Sequence, residues 1–201
     1  MHDLAVSFDW NNTHQFNYPR SRHPNGRYLE ERVASLEGGE DCVVFATGIA
    51  AMIGLFFTFL NAGDHLICSR ICYIGVHEFL NNHFSKRFGV EISFVDTTRP
   101  EEVREAIRPN TKLIHVETPG NPLTLISDIR AIAKIARRAG ILISVDSTYS
   151  GLVTQAPLKQ GADLVMHSLS KYANGHGDGL AGAVIGRKDL ITKMRDAASI
   201  H

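Results

Sequence analysis

Cysteine is scarce in this chain of 201 residues, and its three thiols form no recognisable pair. Cys42, Cys68 and Cys72 show no C-x-x-C spacing, so a cysteine metal site is not indicated. The N-terminal stretch MHDLAVSFDW has neither the basic region nor the apolar region of a signal peptide. An odd number of cysteines without a signal sequence predicts reduced, buried thiols in a cytoplasmic protein.

An excess of charge and a long apolar run are also missing. The 21 basic and 21 acidic side chains cancel, which gives no indication of a nucleic acid or an acidic membrane surface as a partner. The longest apolar run, IAAMIGLFFTFL, is well short of the roughly 20 residues of a membrane span and is interpreted as a buried helix. A hydrophobic content of 44% is enough for one domain with a full core.

Metal and nucleotide motifs are either absent or stand in the wrong context. HExxH does not occur, so no metal ligand is predicted, and His176 is interpreted as part of a loop. GDGLAG, residues 177–182, matches GxGxxG, but a strand-like run follows it where a dinucleotide site needs a helix. SLSK, residues 168–171, matches the SxxK of penicillin-recognising enzymes, yet neither SDN nor KTG accompanies it.

What the sequence does contain is a regular alternation of short apolar runs and amphipathic stretches. The apolar runs predict strands at CVVFA, HLICS, EISFVD, KLIHVET, ILISVDST, DLVMHS and AGAVIGR. Helices are predicted at RYLEERVASLEGG, from about Gly48, and at VHEFLNNHFSKRFG, RPEEVREAI, SDIRAIAKIARRAG and KDLITKMRDAASIH. This alternation predicts an α/β fold with a mostly parallel sheet flanked by helices, preceded by a polar arm over residues 1–26.

Polar and reactive side chains follow the predicted strands. Open parallel sheets bind their ligands beyond the carboxyl ends of the strands, so these side chains are expected to come together. They are Thr47, Gly48, Ile49, Tyr73, Glu117, Asn121, Asp146, Ser168, Ser170 and Lys171. Glu117 is interpreted as a local hydrogen-bonding residue and not as a catalytic one.

Lys171 and Asp146 together indicate a particular cofactor. A lysine in a partly desolvated site can form a Schiff base with an aldehyde, and pyridoxal phosphate needs both such a lysine and an acid for its pyridinium nitrogen. The Tyr73 ring is then expected to stack on the cofactor, and the serine hydroxyls and a helix N-terminus to hold its phosphate. The alternatives are a solvated surface lysine, a helix-capping aspartate and a core tyrosine.

Longer stretches resemble one family. YPRSR, GGEDCVVFATGIAA, ETPGNP, VDSTYSGLVTQAPLKQGADLVMHSLSKY and NGHGDGLAGAVIG follow the order and spacing of the Cys/Met-metabolism family of pyridoxal-phosphate enzymes. The family includes cystathionine γ-synthase, cystathionine lyases, methionine γ-lyase and O-acetylhomoserine sulfhydrylase. The resemblance covers residues 18–190. It implies a type I aminotransferase-like large domain over residues 41–201, an arm and first helix over residues 1–40, and the absence of the family's C-terminal small domain.

The resemblance also implies roles for individual residues. Lys171 would carry the cofactor as an aldimine and would be catalytic together with Tyr73, while Asp146 would face the pyridine nitrogen. The other implied cofactor ligands are Gly48, Ile49, Ser168 and Ser170 at the phosphate, and Asn121 near the phenolic oxygen or the substrate carboxylate. Tyr18 and Arg20 match the family's Tyr-x-Arg arm motif, which reaches the phosphate of a neighbouring subunit and implies a homodimer or homotetramer.

The implied activity is elimination of a thiol from a sulfur amino acid. KYANGHGD is slightly more similar to the lyases, so a C–S lyase acting on methionine, homocysteine or cystathionine is predicted, with γ-replacement on an O-acylhomoserine as the alternative. A non-catalytic, cofactor-binding remnant is a second hypothesis, because the family's arginine for the substrate carboxylate lies in the half that this chain lacks. The motif Tyr73-Ile74-Gly75-Val76 also departs from the Tyr-Gly-Cys-Thr of methionine γ-lyases.

Overall fold

The seven strands predicted from the apolar runs are all present. A computed structural model describes residues 23–200 of the protein. For residues 199 and 200 it describes the backbone alone. The strands are β1 (Asp41–Phe45), β2 (His65–Ser69), β3 (Glu91–Val95), β4 (Thr111–Glu117), β5 (Leu142–Asp146), β6 (Leu164–His167) and β7 (Gly182–Gly186). The helices are α1 (Pro24–Glu37), α2 (Gly48–Phe59), α3 (Ile74–Glu78), α4 (Ser85–Phe88), α5 (Pro100–Glu105), α6 (Ile129–Ala139) and α7 (Lys188–Ile200).

One mixed sheet contains all seven strands in the order β1-β7-β6-β5-β4-β2-β3. The pairs from β3 across to β6 are parallel, whereas β7 is antiparallel to both of its neighbours, β1 and β6. The prediction of a mostly parallel sheet flanked by helices is therefore confirmed. Because β1 and β6 point the same way, their carboxyl ends lie at the same edge of the sheet as those of β2, β4 and β5.

The two faces of the sheet are covered by different helices. Alternate strand residues point to opposite faces, and β6 shows this directly: Leu164 and Met166 join the core with α2 and α7, while Val165 joins the core with α5 and α6. Both faces are thus apolar, which is why the strands appear in the sequence as continuous hydrophobic runs. With both faces buried, the edge at the carboxyl ends of the strands remains for ligands.

Helix ends follow the expected capping chemistry. The Thr47 hydroxyl accepts the Ala50 N–H at 3.1 Å. This cap begins α2 in the turn that follows β1. The Asp128 carboxylate does the same for Ala131 at the start of α6, and Gly140 ends that helix with a φ of 68°. The α2 cap matters for function because it fixes a helix N-terminus at the ligand edge of the sheet.

The segment predicted as one helix over residues 76–89 is more complex. It begins at Ile74 and passes from α3 through a π-helical turn, Phe79–Phe84, into α4. The rings of Phe79 and Phe84 stack with their centroids 5.3 Å apart. The stacked pair spans the π-helical turn, in which hydrogen bonds join residues five apart.

In the part of the chain that the structure describes, no helix has the length and apolar character needed to cross a membrane. Nor are three or more His, Cys, Asp or Glu side chains grouped within residues 23–200 as a metal ion would require.

Candidate active site

A cavity of about 250 Å³ lies at the carboxyl edge of the sheet. It brings together residues from the turns after β1, β2, β4, β5 and β6, as the parallel topology demands. Eight of the predicted cofactor residues line it: Gly48, Ile49, Tyr73, Asn121, Asp146, Ser168, Ser170 and Lys171. The remaining two, Tyr18 and Arg20, lie outside the described residues.

One end of the cavity is built by close backbone packing. A methyl group added at Gly48 would lie 2.6 Å from Ser168 Cβ, so only glycine lets the first turn of α2 approach the end of β6 this closely. Gly182, at the start of β7, packs in the same way against the carbonyl of Thr47. Backbone N–H groups at the start of α2 therefore meet the Ser168 hydroxyl at one place, in the positive field of a helix N-terminus.

Lys171 stands in the turn that follows β6. Its own N–H donates to Ser168 O at 3.2 Å, and its carbonyl accepts from Gly175 at 2.8 Å, so the backbone is fixed while the side chain is exposed. The Ser170 hydroxyl is engaged with the backbone of Ala181: it donates to the carbonyl at 3.1 Å and accepts from the N–H at 3.0 Å. The turn that carries Lys171 is thereby anchored to the residue that precedes β7.

Asp146 closes the buried end of β5. Its Oδ1 accepts from Thr148 twice, from the backbone N–H at 3.0 Å and from the hydroxyl at 2.6 Å. The same Thr148 hydroxyl oxygen accepts the Ser168 N–H at 2.9 Å, so one threonine joins the acid to the serine turn. Burial raises the pKa of Asp146, while the Thr148 hydrogen bonds and the charge of His167 act in the opposite direction.

Glu117 is the direct neighbour of Asp146 in the ladder between β4 and β5. Burial raises the pKa of Glu117 to about 8, and the negative charge of Asp146 adds to the effect. Its two carboxylate oxygens accept backbone N–H groups: Oε2 from Tyr73 and Oε1 from Asn121, both at 2.7 Å. Two predicted site residues on separate loops are therefore held by one carboxylate.

The Tyr73 side chain is half-exposed at the mouth of the cavity, with 47% of its surface accessible. Its ring lies over Gly75, where an added methyl group would sit 2.6 Å from the ring Cε1. The glycine in Tyr73-Ile74-Gly75-Val76 thus has a local reason, since any side chain there would displace the ring.

Some contributors to the cavity were not singled out in the sequence. Thr148 had a detectable signal, because a threonine two residues after an aspartate commonly forms the side-chain turn seen here. Tyr149 lines the mouth beside Lys171, and its ring packs against that of Tyr172 with centroids 6.2 Å apart. The buried contact of His167 with Glu37 behind the site had no local signal, since the two residues are distant in the sequence.

Comparison with known proteins settles the family. The model of the Cys/Met metabolism PLP-dependent enzymes matches residues 2–199. The chain belongs to this family. The family's cofactor is pyridoxal 5'-phosphate, and the resemblance predicted from the sequence is confirmed.

Relatives with several activities are similar to this member of the family. A canavanine γ-lyase from Rhizobium leguminosarum bv. trifolii is 44% identical over 194 residues, which are 96% of this chain and 48% of the relative. An L-methionine γ-lyase from Treponema denticola is 43% identical over 180 residues, 89% of this chain and 45% of the relative. The chain therefore spans about half the length of the curated relatives it matches.

A solved structure supports the fold. That of metB from Corynebacterium glutamicum superposes with a TM-score of 0.90 at 37% sequence identity, over 94% of this chain and 49% of the other. The aminotransferase-like large domain predicted from the family resemblance is thereby confirmed in its architecture.

The cavity of this family member fits the family's cofactor. It offers a primary amine on Lys171, a buried acid on Asp146 and a helix N-terminus beside a serine hydroxyl, which match an aldehyde, a ring nitrogen and a phosphate respectively. The fit rests on the set of donors and on the close packing at Gly48, which leaves backbone N–H groups accessible.

Proposed function

We propose that the protein is a pyridoxal-phosphate-dependent lyase that removes a substituent from the β- or γ-carbon of an amino acid. The observation that carries the proposal is the convergence of Lys171, Asp146 and Tyr73 on one cavity in a chain of this family. Lyases among its relatives support elimination over other chemistry.

Lys171 is the catalytic base in this proposal. Bound pyridoxal phosphate supplies an electron sink for the negative charge that develops at the substrate Cα. The Lys171 amine would hold the cofactor and, once free, would act as the base that removes the proton from the substrate Cα. Its exposed position on a fixed backbone turn gives the amine room to move between these tasks.

Asp146 would hold the proton on the cofactor's ring nitrogen. Burial alone disfavours the charged carboxylate, whereas a cationic ring nitrogen would favour it, and Thr148 already donates to Oδ1. Tyr73 would orient the ring by stacking and would pass a proton to the leaving group. Asn121 would lie near the phenolic oxygen or the substrate carboxylate.

The N–H groups of Gly48 and Ile49 and the hydroxyls of Ser168 and Ser170 would hold the phosphate. Because the Ser170 hydroxyl donates to the Ala181 carbonyl, it would turn its proton away from that carbonyl to contribute. Tyr18 and Arg20 complete the phosphate site of a neighbouring subunit, and the working form is a homodimer or homotetramer.

The substrate is a sulfur amino acid: methionine, homocysteine or cystathionine. Sequence identity does not indicate which leaving group this protein removes from its substrate, since the canavanine and methionine γ-lyases are about equally similar to this chain at 44% and 43%. Canavanine therefore joins the substrates to be tested. Formation of a 2-oxo acid supports the lyase, whereas joining of a thiol to an O-acylhomoserine without 2-oxo acid supports the replacement reaction instead.

Residues 41–201 are proposed to form the cofactor-binding domain, and residues 1–40 the arm with the first helix. We also propose a cytoplasmic location. Cys42, Cys68 and Cys72 are all unpaired and buried, which suits a reducing compartment.

The test is the visible absorbance of the purified protein with pyridoxal phosphate. A Schiff-base band that is present in the wild type and lost in Lys171→Ala supports the proposal. Lys159→Ala is the matched control, because Lys159 is exposed and lines neither described cavity. A folded wild-type protein without the band would overturn the proposal in favour of a chain that no longer assembles its site.

A further inference from the structure

Glu117 forms a wall between two cavities. Besides the cofactor cavity it lines a second one of about 220 Å³, which lies between the ends of β2, β3 and β4 and includes Thr97 and Ser127. Only 6% of the Glu117 surface is accessible. A buried carboxylate is costly unless its oxygens have partners, so the contacts of this side chain deserve a functional explanation.

Both oxygens of Glu117 are used on loops that carry site residues. Tyr73 N–H donates to Oε2 and Asn121 N–H donates to Oε1, each over 2.7 Å. These are short bonds to an acceptor that can be charged, and they fix the backbone directly beneath each side chain. The two loops follow different strands, β2 and β4, and the carboxylate joins them across the mouth of the cavity.

The carboxylate itself is held firmly. The backbone N–H of Glu117 donates to the Ser69 hydroxyl at 3.1 Å, and that hydroxyl continues to Thr97 and then to Ser127, over 2.8 Å at each step. All of these residues are buried. The end of β4 is thus braced against β2 and the loop after β3, which gives Glu117 a rigid base from which to hold the loops.

We propose that Glu117 is a positioning residue that sets Tyr73 and Asn121 relative to the bound cofactor by accepting their backbone N–H groups with its two oxygens. The inference rests on the proposed function, since it concerns the same cavity. It goes beyond it because it assigns a role to a residue that the proposed function leaves out, and that role is exerted through the backbone of two loops.

The first experiment compares Glu117→Gln with the wild type. The amide has the same shape but only one acceptor, so one loop N–H loses its partner. We expect the cofactor dissociation constant to rise about tenfold, as for the loss of one buried hydrogen bond. We also expect the circular dichroism of the bound cofactor to weaken while the Lys171-dependent absorbance band remains, because the cofactor stays linked but its ring is held less firmly.

Glu102→Gln is the matched control. The Glu102 carboxylate also accepts a loop N–H, that of Asp96 at 3.1 Å, but it lines neither cavity. We expect it to leave cofactor affinity and dichroism unchanged. If Glu117→Gln does not fold, Glu117→Asp replaces it, since it keeps the charge but is one methylene too short to reach both loops.

A double-mutant comparison separates positioning from a direct effect on the ring. In the background Tyr73→Ala with Asn121→Ala, the substitution Glu117→Gln should change the cofactor dissociation constant by less than about twofold, because the side chains through which it acts are gone. A tenfold effect that persists in this background overturns the inference in favour of a direct electrostatic effect through Asp146.

The two proposals fail in different ways. A wild-type protein without the Lys171-dependent band overturns the proposed function and this inference with it. A wild type that shows the band, together with a Glu117→Gln protein of equal affinity and dichroism, overturns the positioning role alone.

Discussion

The imidazole Nε2 of His167 lies 2.8 Å from Oε2 of Glu37, and both side chains are buried. The contact joins the last turn of α1 to the last residue of β6, one position before Ser168. It therefore supports from behind the end of the cavity that Gly48 and Ser168 build.

Removing one partner of this pair should be costly for stability. We expect Glu37→Ala to lower the free energy of unfolding by about 3–5 kcal/mol, because it leaves the imidazole buried without its carboxylate. Glu37→Gln, which keeps an acceptor oxygen, should lower the free energy of unfolding by less. Urea unfolding measures both, and Glu31→Ala on the exposed face of the same helix is the control. A Glu37→Ala protein as stable as the control would contradict the structural role.

Thr148 should tune Asp146 and support Ser168 at once. Thr148→Val keeps the shape but removes the donor to Asp146 Oδ1 and the acceptor of the Ser168 N–H. The pKa of Asp146 should rise further, and we expect cofactor affinity to fall at least about tenfold. Thr148→Ser, which retains the hydroxyl, should keep most of the wild-type affinity for the cofactor. Equal affinities of the valine and serine variants, measured by titration with pyridoxal phosphate, would show that the hydroxyl is not needed.

Gly75 should matter only through the tyrosine ring that lies on it. We expect Gly75→Ala to weaken cofactor binding by a few-fold while leaving the unfolding midpoint nearly unchanged, because the group it displaces is the far end of a half-exposed side chain. In a Tyr73→Ala background the same substitution should have no effect on binding. Gly26→Ala is the control, since an added methyl group there has contacts no closer than 3.8 Å.

Stability should depend on pH through Glu117. Its pKa is raised from an ordinary value of 4.5 to about 8, so between these values the folded state keeps a proton that the unfolded state has lost. The free energy of unfolding of the cofactor-free protein should therefore fall as pH rises across this interval. Glu117→Gln should flatten the decline when urea unfolding is compared at about pH 5 and about pH 8. An equally steep decline in the variant would assign it to other groups, Asp146 first among them.

Much of the fold follows from local patterns. Each strand is a short apolar run because both faces of the sheet are covered, and α6 carries its own start and stop signals in Asp128 and Gly140. The grouping of the cavity residues was also predictable in outline. Asp146, Ser168 and Lys171 each follow a strand, and a parallel sheet brings such positions to one edge.

The remainder depends on contacts that no local pattern specifies. The Glu117 carboxylate accepts backbone N–H groups from two loops. The side-chain types of Tyr73 and Asn121 give no indication of these two hydrogen bonds. The pairing of His167 with Glu37 joins residues from opposite ends of the described chain. The change of pitch at Phe79 coincides with the stacked rings of Phe79 and Phe84, a contact that the ordinary helical spacing did not indicate.

The position of β7 has a consequence for how the protein is made. Among the described strands, β1 pairs with β7 alone, and β7 is the last of them to be synthesised. The segment that carries Thr47 and Gly48 leaves the ribosome early, yet it cannot join the sheet until residues 182–186 have emerged. The end of the cavity at Gly48 is therefore assembled late, through contacts of long sequence separation, and a nascent chain halted before Gly182 would lack the strand that holds Thr47 and Gly48 in place.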